Sequence, residues 1–180
     1  MGYSFRGRVE PHAEGELGVI QMKDIDHSSV LHQETVVRVL FPGDVRQHFV
    51  RNGDLIFRSR GETYSAAMVE RAPLSAIVAS PMILVRPRKE VVEPAYLRWF
   101  LNAPSTHKAL ESVAAGTAVK MINKSDLERL EVPVPPLEIQ RKIVEIADLM
   151  EREARLSAEA ARLRRQLVEA TLMRQARQEN

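Results

Sequence analysis

The stretch Val132-Pro133-Val134-Pro135-Pro136-Leu137-Glu138-Ile139-Gln140 decides the fold. Its three prolines hold the backbone extended, and no proline or glycine follows Pro136. Because proline fixes φ and suits the first turn of a helix, Pro136 marks the start of one long helix. The sequence therefore predicts two parts, a body at residues 1–135 and a helix at residues 136–180.

The predicted helix carries an apolar stripe that repeats every seven residues. Its members are Ile139, Ile146, Leu149, Leu156, Ala160, Leu163, Leu167 and Ala170, with Glu153 as an interruption. This spacing is typical of a coiled coil. About 40 residues at 1.5 Å each span roughly 60 Å, twice the diameter of a small domain. We therefore expect the stripe to pair with another chain; a helix packed back on its own body is the alternative.

The body is predicted to be α+β and rich in short strands. Strands are expected at 18–22, 35–40, 55–60, 64–70, 76–80 and 82–87, in a barrel-like or irregular sheet. Helices are expected at 94–102 and 106–114, with a single turn at 126–130. Ser105 and Ser125 are the predicted N-caps, and Glu128 completes a capping box with Ser125. Trp99 is assigned to the core.

The composition limits the classes of function. Net charge is +2, from 26 Lys and Arg against 24 Asp and Glu, so charge alone does not explain nucleic-acid binding. With no cysteine, the chain has no disulfide or thiolate metal site, and a reducing cytoplasm is the expected location. No segment reaches the roughly 18 to 20 apolar residues of a membrane span, and residues 1–6 lack the apolar core of a signal peptide.

Motifs of catalysis are missing from the sequence. There is no glycine-rich phosphate loop and no Gly-x-Ser-x-Gly, and the five histidines show no metal-ligand spacing. A stand-alone enzyme is therefore the least favoured class. No metal or cofactor is expected in this chain.

Positively charged residues are the better candidates for a function. Arg58 and Arg60 alternate along a predicted strand and share one of its faces. Such Lys, Arg, Thr and Ser donors contact phosphates. The predicted DNA-binding residues are Lys23, Arg46, Arg58, Arg60, Thr117, Lys120 and Lys124. The alternative for each charge is an ordinary solvated surface position.

The order of these segments resembles a known family. The segments are 18–25, 52–61, 94–102, 116–127 and the proline run continuing through Leu137-Glu138-Ile139-Gln140-Arg141-Lys142-Ile143-Val144. Over roughly residues 7–175, the chain is similar to one half of the specificity (S) subunit of type I restriction-modification enzymes.

The resemblance implies a target-recognition domain that reads one half of a split site in double-stranded DNA. It also implies that the long helix is a spacer and a docking site for adenine-methyltransferase subunits, with a restriction subunit as a possible further partner. Those partners would bind S-adenosylmethionine and catalyse. Full-length members contain two such domains and two antiparallel helices, so a homodimer of this chain would rebuild them and read a palindromic split site. The alternative is an adaptor or decoy that binds the methyltransferase subunits without reading DNA.

Overall fold

The computed structural model describes residues 1–26, 28–61, 64–73, 75–114 and 121–178. The chain divides into two compact units, Met1–Gln140 and Arg141–Asn180. The first contains small sheets and short helices, and a long helix follows, so the α+β prediction is confirmed. In the described part, no helix combines the length and apolar character that crossing a membrane requires.

The strands of the first unit form two three-stranded sheets. They are β1 (Leu17–Ile20), β2 (Val37–Val39), β3 (Leu55–Arg58), β4 (Ser65–Met68), β5 (Ala76–Val78) and β6 (Ile83–Val85). The first sheet has the order β2-β1-β5, in which β1 is antiparallel to β2 and parallel to β5. The second has the order β4-β3-β6 and is antiparallel throughout. The strand spacing suggested a barrel-like or an irregular sheet; the described residues form two separate sheets and no closed barrel.

The second sheet is buried on both faces. Leu55 and Phe57 of β3 pack in one apolar cluster with Leu97 and Leu101, whereas Ile56 packs in another with Ile20 and Val78 of the first sheet. This burial explains why β3 is a continuous apolar run rather than an alternating one. Within the first unit, the layer order is therefore short helices, second sheet, first sheet.

The helices are α1 (Pro94–Asn102), α2 (Pro104–Ala114), α3 (Lys124–Glu128) and α4 (Leu137–Gln178). The predicted N-cap of α3 was wrong. Asn123 Oδ1 accepts a hydrogen bond from Asp126 N, and an Asp126 carboxylate oxygen accepts one from Asn123 N, both at 3.0 Å. Asparagine caps as well as serine does, so the box forms two residues earlier than expected.

Two further predictions in the helices were wrong. α2 begins at Pro104, so Ser105 lies inside the helix and is not its cap. Trp99 is 38% exposed, because α1 directs Tyr96, Leu97 and Leu101 into the core and leaves the intervening position at the surface.

Candidate nucleic-acid interface

Several basic residues meet where β3 ends. Arg58 is the last residue of β3, and Arg60 forms an antiparallel bridge with Met121. The Ile122 N–H donates to the Ser59 carbonyl oxygen at 2.8 Å. These contacts hold residues 121–122 against the end of the strand, and Lys124 follows at the start of α3.

Gly61 follows Arg60 in the chain and lies close in space to the turn that follows β1. Its φ of +125° is in the region that favours glycine, and a Cβ built on it would lie 3.8 Å from Arg58 Nη2 and 3.9 Å from Met22 Cε. The tips of Arg58 and Met22 therefore border the same small space. Lys23 follows Met22 in a 3-10 turn that begins directly after β1.

We name the four basic residues at this end of β3, Lys23, Arg58, Arg60 and Lys124, the basic end. Two of the predicted DNA-binding residues, Thr117 and Lys120, lie outside the described residues. The strand alternation that predicted Arg58 and Arg60 gave no sign of Met22 or Gly61, which are brought together only by the pairing of distant segments.

Buried donors at the basic end lack acceptors within the described part of the chain. Arg58 Nε is inaccessible to solvent and has no hydrogen-bond partner there, and the same is true of Gln21 Nε2. A buried donor without a partner costs free energy. Lys124 pairs with Glu128 at 3.1 Å, but both side chains are about 60% exposed, and such pairs contribute little.

Arg46 lies apart from the basic end. It begins a 3-10 turn, Arg46–His48. Shortly after that turn, Val50 donates its N–H to Ala76 O at the start of β5. Lys23 follows the end of β1, which runs parallel to β5, so Lys23 and Arg46 lie at opposite ends of this strand pair. Arg46 instead lines a cavity of about 630 Å³ with Glu14 and Glu16 among the other lining residues.

Arg46 forms an exposed ion pair with Asp44. Its Nη2 lies 2.7 Å from Asp44 Oδ2, and its Nε donates to both carboxylate oxygens. The hydrogen bond from the Arg46 side chain, followed by that from its backbone N–H, lowers the pKa of Asp44 to about 2. Both side chains are more than 60% exposed, so this pair, like that of Lys124 with Glu128, contributes little, and it is the position of Arg46 that sets it apart from the basic end.

A histidine clamp beside the Lys23 turn was missed by the sequence analysis. His32 Nε2 lies 3.0 Å from Asp26 Oδ2, and His32 Nδ1 lies 3.0 Å from Glu34 Oε1. Its backbone N–H donates to Asp24 O at 2.8 Å, which ties the clamp to the turn that contains Lys23. The hydrogen bond with Asp26, then that with Glu34, raises the pKa of His32. Spacings of six and two residues in a loop belong to no regular period, so no pattern predicts this contact.

The apolar stripe of α4 is open to solvent. Its large members are between 42% and 69% exposed: Ile139, Ile146, Leu149, Leu156, Leu163 and Leu167. Ala160 and Glu153 on the same stripe are also exposed. An exposed apolar stripe of this length is a feature of surfaces that meet another protein.

A second stripe on α4 escaped the sequence analysis. It consists of Ile143, Ala147, Met150, Ala154, Ala161 and Val168, again at spacings of three, four and seven. Three of these residues are alanines seven apart, which makes the stripe weak in hydrophobicity although regular in spacing. A long helix with two such stripes can pack against two different neighbours.

Comparison with known proteins agrees with this architecture. A family described as the type I restriction modification DNA specificity domain matches residues 14–160. The chain is 28% identical over 107 residues to a protein described as a putative type I restriction enzyme MjaX specificity subunit of Methanocaldococcus jannaschii, a match covering 57% of this chain and 25% of that one.

Solved structures share the fold. The HsdS subunit of Thermoanaerobacter tengcongensis matches with a TM-score of 0.61 and 25% identity. A structure from work on complex assembly and conformational transition of the type I R-M system matches with a TM-score of 0.64 and 23% identity. Each match covers 80% of this chain and 39% of the other.

The chain thus spans about a quarter to two fifths of the length of these relatives. The family match covers both the sheets of the first unit and the first half of α4. On that match, the chain belongs to the family of type I restriction-modification DNA specificity domains, as its resemblance to S subunits predicted.

Proposed function

We propose that this chain reads one half of a split DNA site with the basic end, and that a homodimer formed through α4 presents two such readers to a methyltransferase. The observation that carries the proposal is that the backbone pairing of residues 59–60 with 121–122 brings the start of α3 to the end of β3, where the tips of Arg58 and Met22 also approach each other. Donors on fixed backbone suit both phosphates and base edges.

The near-neutral charge sets the expected affinity. Binding to phosphates supplies much of the affinity of DNA-binding proteins, and a net charge of +2 gives little of it. The dimer alone should therefore bind DNA weakly. A methyltransferase subunit docked beside it would add the missing contacts, and it would also bind S-adenosylmethionine and catalyse adenine methylation.

An antiparallel arrangement of the two α4 helices explains the interruption at Glu153. In parallel register, the two Glu153 carboxylates would meet in the same layer, which is unfavourable. With Ile139 opposite Ala170, each Glu153 instead faces Leu156 of the second copy. The same register brings Arg152 beside Glu159 of the second copy, an attractive pair at flanking positions.

The second stripe offers a surface for the methyltransferase subunit. Once the first stripe is covered by the second copy, the stripe from Ile143 to Val168 remains on another face of the helix. Its alanines permit close approach by a further helix. Separate stripes for separate partners would let the dimer and the complex coexist.

The deciding experiment reverses charge at the basic end. The variant Arg58→Glu/Arg60→Glu/Lys124→Glu, mixed with the cognate methyltransferase subunit, should lose sequence-specific DNA retardation and adenine methylation while still co-purifying with that subunit. Arg46→Glu is the matched control, since Arg46 is basic, exposed and remote from this end. Unchanged methylation by the triple variant would contradict the reading role of the basic end, whereas a natural complex that neither retards nor methylates DNA in a sequence-specific way would favour the adaptor that does not read DNA.

A further inference from the structure

We propose that a second basic surface, at the opposite end of β3 from the basic end, contacts DNA phosphates without reading their sequence. This surface consists of Arg51, Arg71, Arg88 and Lys89, all of them exposed. The inference rests on the DNA-binding role proposed above. It adds a contact that would strengthen binding to every sequence alike.

The antiparallel pairing of the second sheet brings these residues to one end of it. Leu55 at the start of β3 pairs with Met68 at the end of β4 and with Val85 at the end of β6. The segment before β3 and the segments after β4 and β6 therefore meet at the same end of the sheet. These segments are residues 51–54, 69–72 and 86–90, and each carries at least one residue of the second basic surface.

Asn52 joins the three segments. Its backbone carbonyl accepts a hydrogen bond from Lys89 Nζ at 2.7 Å, and its side-chain Oδ1 accepts one from the Ala72 N–H at 2.7 Å. Arg51 and Arg71 directly precede Asn52 and Ala72 in the chain. The backbone of both arginines and the ammonium group of Lys89 are thus held around one turn.

Gly53 leaves room for Lys89 on this turn. Its φ is +84°, and a Cβ built on it would lie 2.8 Å from Lys89 Cε and 2.9 Å from Lys89 Nζ. A larger residue at position 53 would therefore push the lysine stem away from the turn. An ammonium group has three donors, so Lys89 can bond to Asn52 O and still donate to a phosphate oxygen.

The acidic residues nearby do not cancel the positive charge. The three segments hold five Lys and Arg against three Asp and Glu, a net charge of +2 that equals the net charge of the whole chain. Asp54 is 2% exposed, and both of its carboxylate oxygens accept hydrogen bonds from Arg86. In the part of the chain that the structure describes, the side chains of Arg51, Arg71 and Arg88 form no ion pair.

This arrangement suits the phosphate backbone of DNA. Guanidinium groups bond well to phosphate oxygens, and such contacts carry no sequence information. The four residues of β3 put roughly 13 Å between this surface and the basic end. That distance exceeds the screening length of about 8 Å at physiological salt, so the two surfaces act on DNA separately.

The experiment measures affinity for two duplexes of equal length, one with the target site and one with that site scrambled. The protein is the full chain in complex with the methyltransferase subunit. Arg51→Gln/Arg71→Gln should weaken binding to both duplexes about tenfold and reduce the slope of log affinity against log salt concentration by about two. The ratio of the two affinities should stay the same. Arg51→Lys/Arg71→Lys keeps the charge and should keep most of the affinity, which separates lost charge from lost folding.

Arg6→Gln/Arg8→Gln is the matched control, since it removes the same charge from exposed positions outside the three segments. An unchanged slope in Arg51→Gln/Arg71→Gln, a loss confined to the target duplex, or an equal loss in the control would overturn the inference. Lost co-purification with the methyltransferase subunit at unchanged DNA affinity would also overturn it and assign the surface to a protein partner. Because the scrambled duplex needs no reading by the basic end, a reduced slope on that duplex supports the second surface even if the basic end proves not to read DNA.

Discussion

Gln140 Oε1 accepts a hydrogen bond from the Glu93 backbone N–H at 2.8 Å. The same amide donates through Nε2 to Pro135 O at 2.7 Å and to Val91 O at 3.0 Å. Gln140 is fully buried, and its side chain uses both its acceptor and its donors. One glutamine thereby joins the first turn of α4 to two segments of the body.

We expect Gln140→Leu to destabilise the first unit. Leucine has similar volume but cannot bond, so a buried N–H and two carbonyl groups would lose a partner, at a cost of about 2 to 5 kcal/mol in total. Urea unfolding followed by circular dichroism measures the change. Gln175→Leu, the same substitution at an exposed position of α4, is the control; equal midpoints in the two variants would contradict a fastening role for Gln140.

The His32 clamp should make stability depend on pH. The pKa of His32 is raised above 6.5. The stability that His32 contributes is therefore complete below about pH 6.5 and is lost as pH rises through the pKa of His32 in the folded state. The pKa of Asp26 is lowered from 3.8, chiefly by the Val30 N–H and then by His32. That of Glu34 is lowered from 4.5, by its own backbone N–H and then by His32. The stability that Asp26 and Glu34 contribute is lost as pH falls through their lowered pKa values in the folded state.

The clamp is therefore strongest between about pH 4.5 and 6.5. Comparison of urea midpoints at pH 5.5 and pH 8 should show a larger loss at pH 8 for the natural chain than for His32→Gln. Proton NMR titration of the His32 ring gives its pKa directly. A value at or below 6.5, or the same pH dependence in His32→Gln, would show that the clamp does not form.

Local patterns predicted the helical half of this architecture and only part of the sheets. Prolines and the seven-residue repeat specify α4 because both signals act within the helix itself. The capping box at Asn123 was within reach of the same reasoning, but Ser125 and Glu128 satisfied the usual pattern equally well. The parallel pairing of β1 with β5 joins strands far apart in the chain, and nothing in either strand encodes it.

In the candidate site, too, local patterns predicted some features and only the fold determines the others. Arg58 and Arg60 follow from strand alternation, which is local. Their association with Met22 and Gly61 depends on how two sheets pack, and the isolation of Arg46 depends on which end of a strand pair it occupies. The sequence analysis grouped Arg46 with Arg58 and Arg60 by their charge, and only the fold shows that Arg46 lies elsewhere.

Glu153→Leu should strengthen the dimer. In the antiparallel register the carboxylate faces Leu156 of the second copy, so leucine would complete an apolar layer twice per dimer, at about 1.5 to 3 kcal/mol for each fully buried side chain. Sedimentation equilibrium would then give a lower dissociation constant. Glu151→Leu, on the opposite face of α4, is the control and should leave the constant nearly unchanged.

The reverse change tests the same stripe. Leu156→Asp/Leu163→Asp buries carboxylates in the seam and should give monomers in light scattering. A dimer that survives the double substitution would exclude this stripe as the contact.

Arg58→Gln tests whether the basic end reads bases or only contacts phosphates. Loss of a bidentate contact to guanine would cost about 1 to 3 kcal/mol at one position of the site and relax the preference there. Loss of a phosphate contact would weaken binding to all sequences alike. It would also reduce the slope of log affinity against log salt concentration by about one. Binding of the methyltransferase complex to a set of singly substituted targets, at two salt concentrations, distinguishes the two. Arg46→Gln should change neither quantity, because Arg46 lies at the other end of the β1 and β5 pair. If both variants behave alike, the basic end has no special part in recognition.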